Sequence, residues 1–151
     1  MARPFSFQPL LDLAHGRVDA ATQRLALLRL RWQSQQDKLQ QLFTYQEEYR
    51  QRLTDAQASG IGMAHMRDFQ VFLRKLELAI RQQQSEVQQA QFSWEEYQRT
   101  WLEERRKLKT FEILKQRHQR AEAIRENRLE QRDQDEYARI GFHRNRAYED
   151  E

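Results

Sequence analysis

Apolar residues recur along this chain at alternating three- and four-residue steps, separated by polar residues. One run is Phe7, Leu11, Ala14, Val18, Ala21, Leu25, Leu28, Trp32, Gln35, Leu39, Leu42, Gln46, Tyr49, Leu53 and Ala56. A second is Met66, Phe69, Leu73, Leu76, Ile80, Gln83, Val87, Ala90, Trp94, Tyr97, Trp101, Glu104, Leu108 and Phe111. A mean step of about 3.5 residues is the coiled-coil period, which keeps one stripe of each helix turned toward a partner helix. The pattern predicts an all-α fold: a long antiparallel two-helix coiled-coil hairpin whose C-terminal helix overhangs its partner.

The breakers agree. Both prolines, Pro4 and Pro9, lie at the start, and the glycines are Gly16, Gly60, Gly62 and Gly141. Ser6 is placed to cap the first helix with Pro9 in its first turn, where a missing N–H costs nothing. Ser59-Gly60-Ile61-Gly62 is the strong interior stop, with Gly60 as the residue just past the helix end. The chain therefore reads as one coiled-coil domain over 1–151. Helix 1 is expected over about 6–58, a turn over about 59–63, helix 2 over about 64–139 and a frayed tail over 140–151. So short a turn makes the helices antiparallel neighbours. In the register that sets Ala14 opposite Leu108 and Leu42 opposite Ile80, seam positions meet seam positions throughout. That register also sets Gln35 opposite Val87, Leu39 opposite Gln83, Leu28 opposite Trp94 and Trp32 opposite Ala90. Gln35, Gln46, Gln83 and Glu104 are its polar layers, either fixing register or packing loosely. Helix 1 supplies nothing to face helix 2 beyond Lys115. The stretch from Gln116 to Arg139 thus overhangs by ~24 residues, or ~36 Å, beside a paired part of roughly 75 Å. An overhang without a partner is expected to fray alone and order on binding.

Composition narrows the function classes. Hydrophobic residues are 38% and charged residues 32%, too polar for a thick core and suited to a two-helix seam with a wide wet surface. There are no cysteines, so disulfides and thiolate metal sites are excluded. No apolar run approaches the ~20 residues of a membrane span, and no secretory signal opens the chain, so cytoplasmic residence is the expectation. The net charge of +3 is spread through interleaved acids and bases, the signature of solvated helix faces. Arg105, Arg106, Lys107 and Lys109 form one short basic cluster.

No catalytic constellation emerges, and neither enzyme activity nor a cofactor is expected. His15, His65, His118 and His143 are scattered without paired metal-ligand spacing. No phosphate loop, dinucleotide fingerprint or nucleophile elbow occurs. Adjacent acids such as Glu47-Glu48 and Glu95-Glu96 point to different helix sectors, and acid–base chemistry needs a shielded cleft. Trp94, Tyr97 and Trp101 sit at seam spacing and read as core. Tyr45 and Phe72 are apolar but off the seam. With Leu42, Tyr49, Leu76 and Ala79 they widen the stripe into a lateral patch near the turn. A partner site is the favoured reading, as exposed aromatic patches mark interfaces. The alternative is that Tyr45 and Phe72 cover each other across the pair.

The segments "FSFQPLLDLA", "FTYQEEYRQRL", "SGIG", "FQVFLRKLELAI" and "ENRLEQRDQDEYA" resemble the flagellar FliJ family in order and spacing across nearly the whole chain. The Tyr-Gln-x-x-Tyr-x-x-x-Leu motif before the turn and the Glu-Asn-Arg-Leu-Glu-Gln block are the more specific parts. The resemblance implies a component of the flagellar type III protein export apparatus, cytoplasmic and peripheral at the cytoplasmic face of the inner membrane at the flagellar base. It implies a coiled coil like the stalk of rotary ATPases, with three partners: the hexameric export ATPase, the cytoplasmic domain of the export gate, and export chaperones. Carried onto this sequence, the gate-binding face is Leu42, Tyr45, Tyr49, Phe72, Leu76 and Ala79. Gln83 falls at a polar position of that pattern, and Lys38 stands where members often carry glutamine. The ATPase end is the paired termini and overhang, with Arg128 and Leu129 as contacts. Neither direct membrane insertion nor nucleic-acid binding is expected. An injectisome-type stalk or generic chaperone adaptor is the alternative of similar shape. A nucleic-acid-associated coiled coil is the alternative of another class, disfavoured because acids interleave with the bases almost everywhere.

Overall fold

A computed structural model of the protein describes residues 2–150 and shows two long helices packed against each other, with no strand among the described residues. Helix α1 spans Gln8–Ala58 and helix α2 spans Met63–Glu149. Each seam position from Leu11 to Ala56 and from Met66 to Phe111 is buried or half-buried, and only Phe7, the first of the pattern, stands exposed. The heptad stripe is the core: Leu11, Ala14, Ala21, Leu76, Ile80 and Ala90 are its most enclosed side chains.

The turn is built as its residue types dictate. Helix α1 ends at Ala58, and Gly60 takes a φ of 78°, a left-handed conformation that a side chain disfavours. Its N–H donates to the Gln57 carbonyl at 3.3 Å, while the Ser59 N–H and hydroxyl both reach the Asp55 carbonyl at 3.1 Å. Met66 N–H donates to the Gly62 carbonyl at 3.1 Å, opening α2 directly behind the turn.

Contacts divide the chain into two compact units, Asp19–Glu103 and Met1–Val18 with Glu104–Glu151. In the first, the cross-helix contacts straddle the expected register. The Gln83 side-chain amide donates to both the main-chain oxygen (3.0 Å) and the side-chain oxygen (2.7 Å) of Gln35. The two glutamines therefore pair with each other, where the sequence register set them against Val87 and Leu39. Side chains on antiparallel helices reach half a heptad along the seam, and a polar atom in an apolar stripe is costly unless it finds another. Trp32 likewise meets Trp94, ring centroids 5.5 Å apart, and the buried Trp32 indole N–H has no hydrogen-bond partner among the described residues. The Trp101 indole donates to the Thr22 hydroxyl at 2.9 Å.

In the second unit the N-terminal segment departs from expectation. Helix α1 begins at Gln8, so Ser6 lies two residues ahead of it. The first turn is joined by main-chain bonds, Gln8 N–H to Phe5 O at 3.1 Å and Leu11 N–H to Phe7 O at 2.9 Å. The preceding residues run along α2. The Arg3 N–H donates to a Glu122 carboxylate oxygen at 3.2 Å, His118 Nε2 lies 2.7 Å from the Arg3 carbonyl, and the Phe5 ring sits 5.7 Å from that of His118. Helix α2 is thus covered past Lys115, as far as the half-buried Glu122 and Arg125. The unpaired stretch is shorter than α1 alone implies, because a non-helical strap continues the cover.

Helix α2 also passes the expected end near Arg139 and runs through Gly141 to Glu149. Glycine inside a helix costs only about 1 kcal/mol relative to alanine. Gly141 lacks the positive φ that ends α1 at Gly60.

Candidate functional site

The residues of the expected patch near the turn divide by depth. Tyr45 is 55% exposed and Phe72 is 38% exposed. Leu42, Tyr49 and Ala79 are half-buried, while Leu76 is only 8% exposed. Leu76 thus lies in the seam and supports the patch from beneath; its seam spacing already placed it there. The Phe72 ring stacks on Tyr49, centroids 4.1 Å apart and planes 29° from parallel. Phe69 closes the Tyr49 edge at 6.4 Å, and the Arg52 guanidinium carbon lies 5.2 Å from the Tyr49 ring centre. Phe72 is therefore covered partly by Tyr49, and Tyr45 is left open to solvent.

Heptad equivalence places Tyr45 and Phe72 on one flank. Arg31 and Ser93 line the same inter-helix groove. Tyr45 repeats Arg31 two heptads on, and Phe72 repeats Ser93 three heptads back, so both belong to that side of the hairpin. Tyr45 borders a shallow depression of about 450 Å³ with Gln40, Gln41, Thr44 and Glu48. The patch offers aromatic faces and a phenol beside an arginine, a composition suited to protein contact.

Arg128 and Leu129 fall elsewhere, on the exposed stretch of α2. With Arg125 and Arg132 they line a surface depression of about 410 Å³ on that helix alone. Leu129, Ile124, Tyr137, Ile140, Phe142 and Tyr148 are all exposed there. Sequence reasoning missed the Arg3–Phe5 strap and its contacts with His118 and Glu122, since main-chain contacts at Arg3 and a single ring ahead of the helix leave no periodic mark. It also missed the Gln35–Gln83 pair, whose signal was a polar seam residue on each helix within half a heptad of facing the other. Among the described residues, no group of three or more His, Cys, Asp or Glu could hold a metal ion. Among the same residues, no helix is long and apolar enough to cross a membrane.

Comparison with known proteins gives a consistent result. A family model described as "Flagellar FliJ protein" matches residues 3–147. The Flagellar FliJ protein of Salmonella typhi is 31% identical over 138 residues, covering 91% of this chain and 94% of that protein. That of Escherichia coli (strain K12) is likewise 31% identical over 138 residues, with the same coverage.

Proposed function

The chain belongs to the flagellar FliJ family and is thereby a component of flagellar protein export; we propose that within that machinery it is a stalk and chaperone-like adaptor. In this reading it links the hexameric export ATPase to the cytoplasmic domain of the export gate and contacts export chaperones. It works in the cytoplasm, peripheral to the inner membrane at the flagellar base, and does no chemistry of its own.

The observation that carries the reading is the open aromatic flank beside the turn. A two-helix seam can bury a stripe, yet Tyr45 is left exposed and Phe72 only partly covered. Such aromatics in a polar surface are the anchors that dominate binding energy at interfaces. This flank is assigned to the gate, with Tyr45, Tyr49 and Phe72 as contacts and Leu42, Leu76 and Ala79 as their support. The exposed Arg128–Leu129 stretch is assigned to the ATPase.

The test is calorimetric titration of the protein with purified gate cytoplasmic domain and, separately, with purified export ATPase. Tyr45→Ala and Phe72→Ala should each weaken gate binding by about tenfold or more and leave ATPase binding unchanged. Arg128→Ala with Leu129→Ala should do the reverse. Gate affinity untouched by both aromatic substitutions would overturn the assignment.

A further inference from the structure

The N-terminal strap and the Arg128–Leu129 stretch meet at a single oxygen atom. Glu122 Oε2 accepts the Arg3 N–H at 3.2 Å and lies 3.3 Å from Arg125 Nη2. Arg125 in turn lines the depression that Arg128, Leu129 and Arg132 complete. Beyond Glu122 the strap rests on His118, through the Arg3 carbonyl 2.7 Å from Nε2 and the Phe5 ring beside the imidazole. Residues 2–5 belong to no helix or turn that would hold them in place.

Arg125 is satisfied on one side alone. Its Nε is buried without a hydrogen-bond partner among the described residues, while the side chain as a whole is 40% exposed. A guanidinium takes a carboxylate most strongly through two parallel N–H donors, and Glu122 engages Nη2 only. Stranding a buried donor is destabilising, so a carboxylate that reached Nε and Nη2 together would displace Glu122. Helix α2 supplies no such group. Of the positions one turn from Arg125, which are 121, 122, 128 and 129, only Glu122 is an acid. The second acceptor has to come from outside the helix. The Glu122 side chain is only 14% exposed and is held by the strap, so Arg125 is the member of the pair that can turn outward.

We propose that Arg125 is a further contact for the partner of Arg128 and Leu129, that it takes a surface carboxylate of that partner through Nε and Nη2, and that its departure from Glu122 releases the strap. This rests on the assignment of the stretch to the export ATPase. Once Arg125 leaves, Glu122 is an enclosed carboxylate without its cation and is drawn toward water. The Arg3 N–H then loses its acceptor, and the contacts on His118 are all that remain of the latch. Linkage makes the effect reciprocal: if ATPase binding loosens the strap, loosening the strap tightens ATPase binding.

The test uses the full chain, purified export ATPase and calorimetric titration. Phe5→Ala with His118→Ala, and separately deletion of residues 2–7, should each tighten ATPase binding by roughly threefold or more. Arg125→Ala should weaken it by about fivefold or more, and R125K should not restore it, since an ammonium is a point charge without the fork. A spin label on Ala2→Cys, the single thiol in a chain that otherwise has no cysteine, reads the strap itself. The label should gain mobility when ATPase is added to the otherwise native chain and should not respond in the R125A background. Unchanged or weaker binding by both strap variants, a label that ATPase leaves unmoved or immobilises, or native affinity in R125K overturns the latch. If those results come while Arg128→Ala with Leu129→Ala still weakens ATPase binding, the assignment of the stretch stands and the latch alone fails. If that double variant binds as the native chain does, the assignment fails and the latch with it.

Discussion

Two stretches of helix α2 share a composition rich in charge and glutamine, yet they behave differently in the fold. From Met66 to Phe111 an apolar residue returns at each half-heptad except Gln83 and Glu104, and Leu76, Ile80 and Ala90 are buried. From Glu126 to Asp150 apolar residues still occur, but all except the half-buried Gly141 are exposed, Tyr137 at 83%. What distinguishes the stretches is whether a second chain segment meets the stripe. Helical propensity supports both, since neither contains proline and α2 contains only Gly141. Burial, which supplies most helix stability in proteins, supports one. The paired stretch is where stability resides, and the unpaired stretch is available surface.

The sharpest way to break this comparison is to remove equal chemistry from each side. Ile80→Ala should destabilise the protein by about 2–4 kcal/mol, as a buried aliphatic side chain leaves an unfilled seam layer. Leu129→Ala should cost less than about 0.5 kcal/mol, since surface substitutions away from special features are close to neutral. Urea unfolding followed by circular dichroism measures both; similar losses would mean that Leu129 is covered in solution.

Next in size is the polar layer. Gln83→Ala should cost about 1–3 kcal/mol, because it strands the part-buried Gln35 side chain that Gln83 satisfies with its 2.7 Å bond. Replacing both glutamines by leucine should restore or exceed the original stability, since removing both partners can be neutral or favourable. If register depends on the pair, that double variant should also cross-link at shifted cysteine positions. Preserved register would show that the apolar layers alone fix it.

A smaller effect is expected at the aromatic stack. A double-mutant cycle on Tyr49→Ala and Phe72→Ala should give a coupling of about 0.5–1.5 kcal/mol for rings at 4.1 Å. A coupling near zero would free Phe72 to turn outward and enlarge the open patch around Tyr45.

The heptad pattern made the paired stretch legible nearly residue by residue, because burial in a two-helix seam follows a single period. Tyr45 and Phe72 were legible for the complementary reason, as apolar residues out of phase. Three things escaped. The pairing of Gln35 with Gln83 depends on how far side chains reach along the seam, which period alone does not encode. The strap uses main-chain atoms of Arg3 and a Phe5 ring that stands ahead of the heptad pattern, both invisible to that pattern. The passage of α2 through Gly141 shows that a glycine stops a helix when the next residues can turn, as at Gly60, and otherwise only weakens it. The partner assigned to each surface is not written in period or burial at all; it comes from family membership and patch chemistry.

The smallest expected effect tests the comparison most directly. Deleting residues 126–151 removes the stretch beyond the last half-buried side chains of the seam and strap, Glu122 and Arg125. Nothing that the strap holds is touched, as His118 and Glu122 remain. The urea midpoint and its slope should stay within the equivalent of about 0.5 kcal/mol, since the deleted helix exposes little new apolar area on unfolding. Amide exchange in the intact protein should agree, with residues 126–150 exchanging at the rate of a fraying helix and the Leu76–Ala90 amides protected to the global limit. Deleting residues 2–7 instead should speed exchange at Lys115–Arg125 while sparing Leu76–Ala90, because only the first segment loses its cover. A C-terminal deletion that lowered the cooperative midpoint markedly, and did so more at high protein concentration, would show a second copy covering the stretch, and the distinction between stable seam and available surface would then fail.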